Sequence, residues 1–162
     1  MNEVRGAAPD VRLRAVEDED IGLFFEHQTD QEATEMAAFP ARDSDRFAAH
    51  WARIRANDDS LLRTIVADDA VAGNITSWEQ DGQRMLGYWL GREHWGRGVA
   101  TEALAQFVGQ ETTRPLYAHV AEHNMGSRRV LEKCGFRRDR AAEAEAPPSD
   151  DGVVLLIFVL DA

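Results

Sequence analysis

Two glycines flank an arginine in Gly96-Arg97-Gly98, and an apolar pattern of helical spacing opens directly behind them at Val99-Ala100. Glycine admits backbone angles and close approaches that other residues forbid. A helix N-terminus presents unpaired N–H groups at the positive end of its dipole, so a glycine turn set against one can cradle an anion such as pyrophosphate. Two familiar phosphate loops fit poorly. A Walker-type loop needs Gly-Lys followed by Ser or Thr, and Gly98 is followed by Val99-Ala100. A dinucleotide fingerprint asks for a small residue at position 101, where Thr101 stands, and it belongs to the first strand–helix unit of a domain.

Other reactive side chains carry weaker signatures. Cys134 is the single cysteine, so it forms no internal disulfide and anchors no metal cluster. It falls on a helix face expected to be buried, where packing outweighs a nucleophilic role. Glu35, Glu79, Glu93 and His119 have the chemistry of a general base but no signature that selects one of them. His50 lies on the apolar face of its helix, as a core histidine does. Trp78 and Trp89 read as core or pocket wall.

The elements that position these residues follow from periodicity. Val11, Leu13 and Ala15 alternate with Arg12 and Arg14, which predicts a first strand. Asp18, Glu19 and Asp20 favour a helix start, with Ile21, Phe24 and Phe25 on one face. A second helix opens near Ser44 or Asp45, with Phe47, Trp51 and Ile54 at helical spacing, and ends at Asn57. Residues 61–67, 71–78 and 82–90 read as strands joined by turns at Asp68-Asp69 and Asp81-Gly82. Ala100, Ala103, Leu104, Phe107 and Val108 mark a helix with one buried face. Residues 115–120 are a short strand. Asn124 is a good N-cap for a helix whose Ser127, Val130, Leu131 and Cys134 share a face and which Gly135 ends. Residues 1–10 read as a loose leader, 139–152 as a mobile acidic loop, and 153–160 as a strand buried on both faces. The order β-α-α-β-β-β-α-β-α-β points to a single α/β domain over residues 1–162 with a mixed sheet.

Composition narrows the function. A chain of 162 residues with 44% hydrophobic content supports one domain with a real core. The net charge of −11 argues against nucleic acid as a partner, since phosphate neutralisation supplies most of that affinity. No apolar stretch is long enough to span a bilayer, and no segment has the form of a signal peptide. No membrane partner is therefore expected, and the expected setting is a reducing cytoplasm.

The stretch Trp95-Gly96-Arg97-Gly98-Val99-Ala100-Thr101-Glu102-Ala103 resembles the acyl-CoA loop of the GNAT-type N-acetyltransferases. In that family a Gln/Arg-x-x-Gly-x-Gly/Ala turn between the fourth strand and a helix holds the coenzyme A pyrophosphate on backbone amides. Gly98 and Ala100 match the small positions. Trp95 stands at the Gln/Arg position, a departure shared with the branch that resembles ribosomal-protein and antibiotic acetyltransferases. A second block, Asn124-Met125-Gly126-Ser127 through Glu132-Lys133-Cys134-Gly135-Phe136, resembles the family's Asn-x-x-Ser…Glu-Lys-x-Gly-Phe helix. Gly87-Tyr88-Trp89-Leu90 resembles the strand before the loop.

The resemblance implies a GNAT-like fold with a mostly antiparallel sheet of about six or seven strands and about four helices. It implies acetyl-CoA as co-substrate, no metal, and an amine acceptor on a small molecule or a peptide N-terminus; a homodimer is compatible with it. Amides near Leu90 are then expected on the pantetheine arm and the thioester oxygen, and those of Gly96 to Thr101, Val99 included, on the pyrophosphate. Asn124 either bonds the pantetheine or serves as a plain N-cap. Ser127 either protonates the leaving sulfur or is a small packing residue. Arg97 and Arg129 either reach the phosphates or remain solvated. Many relatives carry a tyrosine where Leu131 stands, so that acid is missing here.

The implied reaction is direct transfer from acetyl-CoA to an amine in a ternary complex. Alternatives are a non-catalytic acyl-CoA-binding module of the same fold and a plain interaction domain. The acceptor slot, expected from residues 21–57 and 141–160, carries no motif. The negative charge leans towards a cationic acceptor such as a polyamine, an aminoglycoside or a basic peptide terminus.

Overall fold

Alternation of Val11 and Leu13 with two arginines forms the edge strand β1 (Val11–Arg14), which lies antiparallel to β2 (Leu61–Ala67). The structure, a computed structural model, describes residues 8–38, 41–146 and 152–162. Asp68 and Asp69 turn β2 into β3 (Ala70–Gln80) with φ of 49° and 67°, and Asp81 and Gly82 turn β3 into β4 (Gln83–Leu90) with 52° and 78°. Positive φ at both central residues matches the twist of a two-residue hairpin, and Asp and Gly tolerate it best. Between β4 and the parallel strand β5 (Leu116–Ala121) the chain crosses over through α4 (Val99–Gln110). The last strands are β6 (Arg137–Arg138) and β7 (Leu155–Leu160), giving the order β1-β2-β3-β4-β5-β7-β6. Among the described strands only the β4–β5 pairing is parallel, so the expected mixed, mostly antiparallel sheet is what forms.

Each face of the sheet is covered by helices. One core joins Ile65, Ile75 and Leu86 to Leu104 and Phe107 of α4 and Leu131 of α5 (Met125–Lys133). Leu104 and Phe107 are fully buried, and each contributes roughly 1.5–3 kcal/mol by leaving water. A smaller core joins Phe24 of α1 (Asp18–Thr29) to Phe47 and Trp51 of α3 (Ser44–Ala56). The Phe24 and Trp51 rings lie 4.9 Å apart.

Two helices exceed the sequence expectation. The first, α2 (Gln31–Ala37), starts where the Asp30 side chain accepts from the amides of Glu32 and Ala33. With seven residues and one buried position, it is too short to show a periodic stripe. The second corrects the loop expected over 139–152: Arg140–Glu145 form α6, capped by Asp139 on the Ala142 amide. Arg138 donates to the Glu143 carboxylate at 2.7 Å, and that carboxylate also accepts from the Ile157 amide. The acidic composition of the segment masked this anchored turn, and positions 147–151 lie outside the described residues. The final strand is also shorter than expected, because Val154 and Leu155 are exposed and burial begins at Leu156. Of the leader, residues 1–7 lie outside the described residues, and the Asp10 amide donates to Asp68 at 2.9 Å.

Candidate active site

Strands β4 and β5 pair over three residues only, Arg84–Leu86 against Leu116–Ala118, and then diverge. The Gly91 amide donates to the Ala72 carbonyl of β3 at 2.8 Å. Alternation along the strand therefore turns the backbone groups of Leu90 and Tyr88 the other way, into the gap that β5 has left. A cavity of about 590 Å³ occupies this gap and runs from the glycine turn to α2. Its size suits a small-molecule site.

At one end stands the glycine turn. Gly96 and Gly98 adopt φ of +72° and +78°, a region that most residues avoid. A Cβ at either position would meet nothing within 4 Å, so the turn faces open space. Gly98 is the N-cap of α4 and supplies no side chain, which leaves the first amides of the helix without a capping acceptor. Gly96, Gly98, Val99, Ala100 and Thr101 all line the cavity. Trp95 donates its indole N–H to the Leu90 carbonyl at 3.2 Å and packs on the core. The tryptophan thus closes the loop between β4 and α4.

The two arginines part company. Arg97 turns away from the cavity to an ion pair with Asp68 at 3.1 Å. Arg129 lines the cavity, and so does Lys133, one helical turn further along α5. Lys133 is not among the residues expected at the site, because its motif fixes its order in the chain and not the face it presents. The i, i+4 spacing from Arg129 was the available signal.

The wall opposite β4 is α5. Asn124 caps it, its Oδ1 accepting the Ser127 amide at 3.2 Å, and its other amide atom remains as a donor. The capping bond therefore uses only the oxygen of this side chain. The Ser127 hydroxyl lies 2.7 Å from the hydroxyl of Tyr88, which reaches across from β4. Burial pushes the Tyr88 phenol up to about 12, against the smaller downward pull of its bond to Ser127. Leu131, at the place of the familiar tyrosine, is buried in the core. A phenol reaches the site all the same, from a strand instead of the helix.

None of the four expected bases lines the cavity. Glu79 and Glu93 are exposed, His119 sits on β5 opposite Ile157, and Glu35 is exposed on α2 where it accepts from Gln31. The imidazoles on the wall are His94, which is buried with Nδ1 unpartnered, and His123, whose Nε2 donates to the Glu35 carbonyl at 3.0 Å. Helix α2 is fixed over this end by Arg92, which pairs with Asp30 at 3.0 Å and with Glu32. Among the described residues no group of three or more His, Cys, Asp or Glu stands close enough to hold a metal ion. No helix among them is long and apolar enough to cross a membrane.

A family model of the acetyltransferase (GNAT) domain matches residues 10–137. Probable N-acetyltransferase YjcK of Bacillus subtilis (strain 168) is 31% identical over 97 residues, 57% of this chain. The match spans about half of that relative, 50% of its length. Among solved structures, spermidine N-acetyltransferase from Vibrio cholerae, in complex with CoA and spermine, superposes with a TM-score of 0.79 at 15% identity, over 93% of this chain and 95% of its own. A ribosomal L7/L12 alpha-N-protein acetyltransferase in complex with coenzyme A gives 0.73 at 14%, over 93% of each chain. At these identities the likeness is one of fold.

Proposed function

The chain belongs to the GNAT acetyltransferase family, and we propose that it is an acetyl-CoA-dependent N-acetyltransferase acting by direct transfer to a primary amine. The observation that carries this reading is the gap between β4 and β5, which leads from an open glycine turn to a hydroxyl pair. Amides of the turn and of the α4 N-terminus take the pyrophosphate, with Arg129 and Lys133 beside it. Backbone groups of Tyr88 and Leu90 take the pantetheine arm, and the Leu90 amide faces the thioester oxygen. Holding acyl donor and amine together accounts for much of the catalysis, since orientation alone removes up to about 7–11 kcal/mol of barrier. Ser127 supplies a hydrogen to the leaving sulfur.

The acceptor is an amine on a small molecule or a peptide N-terminus. Its end of the cavity is walled by Ala33, Met36, Ala37, His123 and Met125, and no described lining residue is Asp or Glu. This wall favours an amine on an uncharged or apolar body over the polycation to which the net charge pointed. Asp30, which caps α2, and Glu32 in its first turn are engaged by Arg92, and the Glu35 side chain is exposed.

Titration calorimetry with acetyl-CoA, then thiol release over a panel of primary amines, tests the reading. Binding and release are expected, with apolar amines and neutral peptide termini ahead of spermidine. Tight binding with no release on any amine would favour a non-catalytic acyl-CoA module, and absence of binding would overturn the reading altogether.

A further inference from the structure

Tyr88 carries a half-buried hydroxyl beside the site that the proposed transfer leaves without a task. It shares a strand face with Leu86 and Leu90 and packs against the main core, so its ring has little freedom. Its hydroxyl lies 2.7 Å from the Ser127 hydroxyl. Between two hydroxyls either oxygen can donate, and the chemistry decides. A phenol is far more acidic than an aliphatic alcohol and is the better donor. The Tyr88 phenol also stays protonated throughout the neutral range, because burial disfavours the phenolate. The Ser127 oxygen is the acceptor that the fold sets within reach of the phenol, so giving that hydrogen elsewhere would forfeit the bond. Tyr88 therefore donates, and Ser127 accepts on Oγ. One consequence follows for the serine: its own hydrogen is released from this pair and is free to point into the cavity.

We propose that Tyr88 is a positioning residue for the acetyl transfer, fixing the Ser127 oxygen and aiming the Ser127 hydrogen at the leaving sulfur. The proposal rests on Ser127 serving that sulfur. In the transfer the amine nitrogen bonds to the thioester carbon, the carbon–sulfur bond breaks, and one proton passes from nitrogen to sulfur. Ser127 gives its hydrogen to the sulfur and takes back the one that nitrogen releases, so the protein ends the turnover as it began. Without Tyr88 the serine hydroxyl rotates and donates to any nearby acceptor, and the productive rotamer is one among several. Tyr88 also explains how a chain with Leu131 at the usual tyrosine position keeps a phenol at its site. Here the phenol acts on the serine, and the serine acts on the sulfur.

Tyr88→Phe keeps the ring and its packing, so it tests the hydroxyl alone. With acetyl-CoA and the best acceptor of the amine panel, Tyr88→Phe is expected to lower kcat about tenfold or more, with the Kd for acetyl-CoA within about threefold. Ser127→Ala is expected to lower kcat by about 10²-fold, and the double variant to be no worse than Ser127→Ala, because the two hydroxyls act as one unit. Site-specific 3-fluorotyrosine at position 88, which still donates, restores turnover. The inference alone fails if Ser127→Ala is crippled while Tyr88→Phe stays within twofold of the parent, or if the two losses multiply. If Ser127→Ala is itself silent, or no amine is turned over, the underlying reading fails and takes the inference with it. A Tyr88→Phe protein that binds acetyl-CoA normally but melts far lower would mark Tyr88 as structural only, and that too overturns the proposal.

Discussion

Cys134 closes helix α5, and its thiol points to the Thr101 carbonyl, with sulfur and oxygen 3.5 Å apart. Burial pushes this thiol up, and the charge of Glu102 adds to the effect, so it stays protonated at neutral pH. A protonated thiol is a poor nucleophile, which leaves direct transfer as the expected chemistry. Cys134→Ala should keep at least about a tenth of the parental turnover, since no acyl-enzyme forms. A loss beyond a thousandfold in a protein that still melts cooperatively would point to an acetyl-cysteine instead. Arg97 teaches the opposite lesson about reading a motif. It sits inside the glycine turn by sequence, yet its guanidinium pairs with Asp68. In the proposed cradle this turn therefore offers backbone rather than side chain.

At the scale of elements, the glycine turn and the short helix over the acceptor end each invite a test. Gly98→Asn tolerates the left-handed backbone better than other residues and still places a side chain in the open space of the turn. It should weaken acetyl-CoA binding by about tenfold or more while the melting temperature changes little. Gly98→Val adds backbone strain of about 1–3 kcal/mol and should lose stability as well. Equal affinity in a folded Asn variant would remove the cradle assignment. Arg92→Ala unties α2 from the turn after β4. Because α2 walls the end of the cavity proposed for the acceptor and not the glycine turn, KM for the amine should rise several-fold with the Kd for acetyl-CoA unchanged. A matching loss in acetyl-CoA affinity would show that α2 serves the other end of the cavity.

Across the whole molecule, buried charges set the response to acid. Asp20 is nearly inaccessible and accepts from Arg14 at 2.7 and 2.9 Å, from Thr64 at 2.7 Å and from the Glu17 amide. Burial alone would push its carboxyl up, but these bonds and the Arg14 charge hold it below the ordinary 3.8. Glu111 is likewise raised by burial and brought below 4.5 by Ser77 and Arg84. Groups with lowered carboxylate pKa stabilise the fold above those ordinary values, and the benefit is lost as the pH falls through the lowered ones. His27 and His50 are held below 6.5, mainly by burial, so the unfolded chain gains protons before the folded one as acid is added. Stability should therefore decline gently below pH 6.5 and steeply below about 4. Asp20→Asn should cost roughly 1.5–3 kcal/mol at neutral pH and flatten the steep part, in urea unfolding followed from pH 7 to pH 3. A profile identical to the parent's would place the acid response elsewhere.

The sequence by itself determined what short-range chemistry can encode. Asp-Asp and Asp-Gly hairpins, the Asn124 cap, the apolar stripe of α4 and the glycine turn are all local, and each forms where it was read. The tertiary structure decided everything that depends on which strand lies beside which. Tyr88 and Ser127 are 39 positions apart and meet because β4 and α5 wall the same gap. The bases that looked suitable one by one fall outside that gap, while His94 and His123, which carried no signature, line it. The anchored turn of α6 escaped notice because Ile157 and Glu143 are brought together by β7, not by neighbouring residues. A helix start or a turn is encoded within a few residues of itself, whereas a site built between diverging strands takes its walls from segments that only the sheet order brings together.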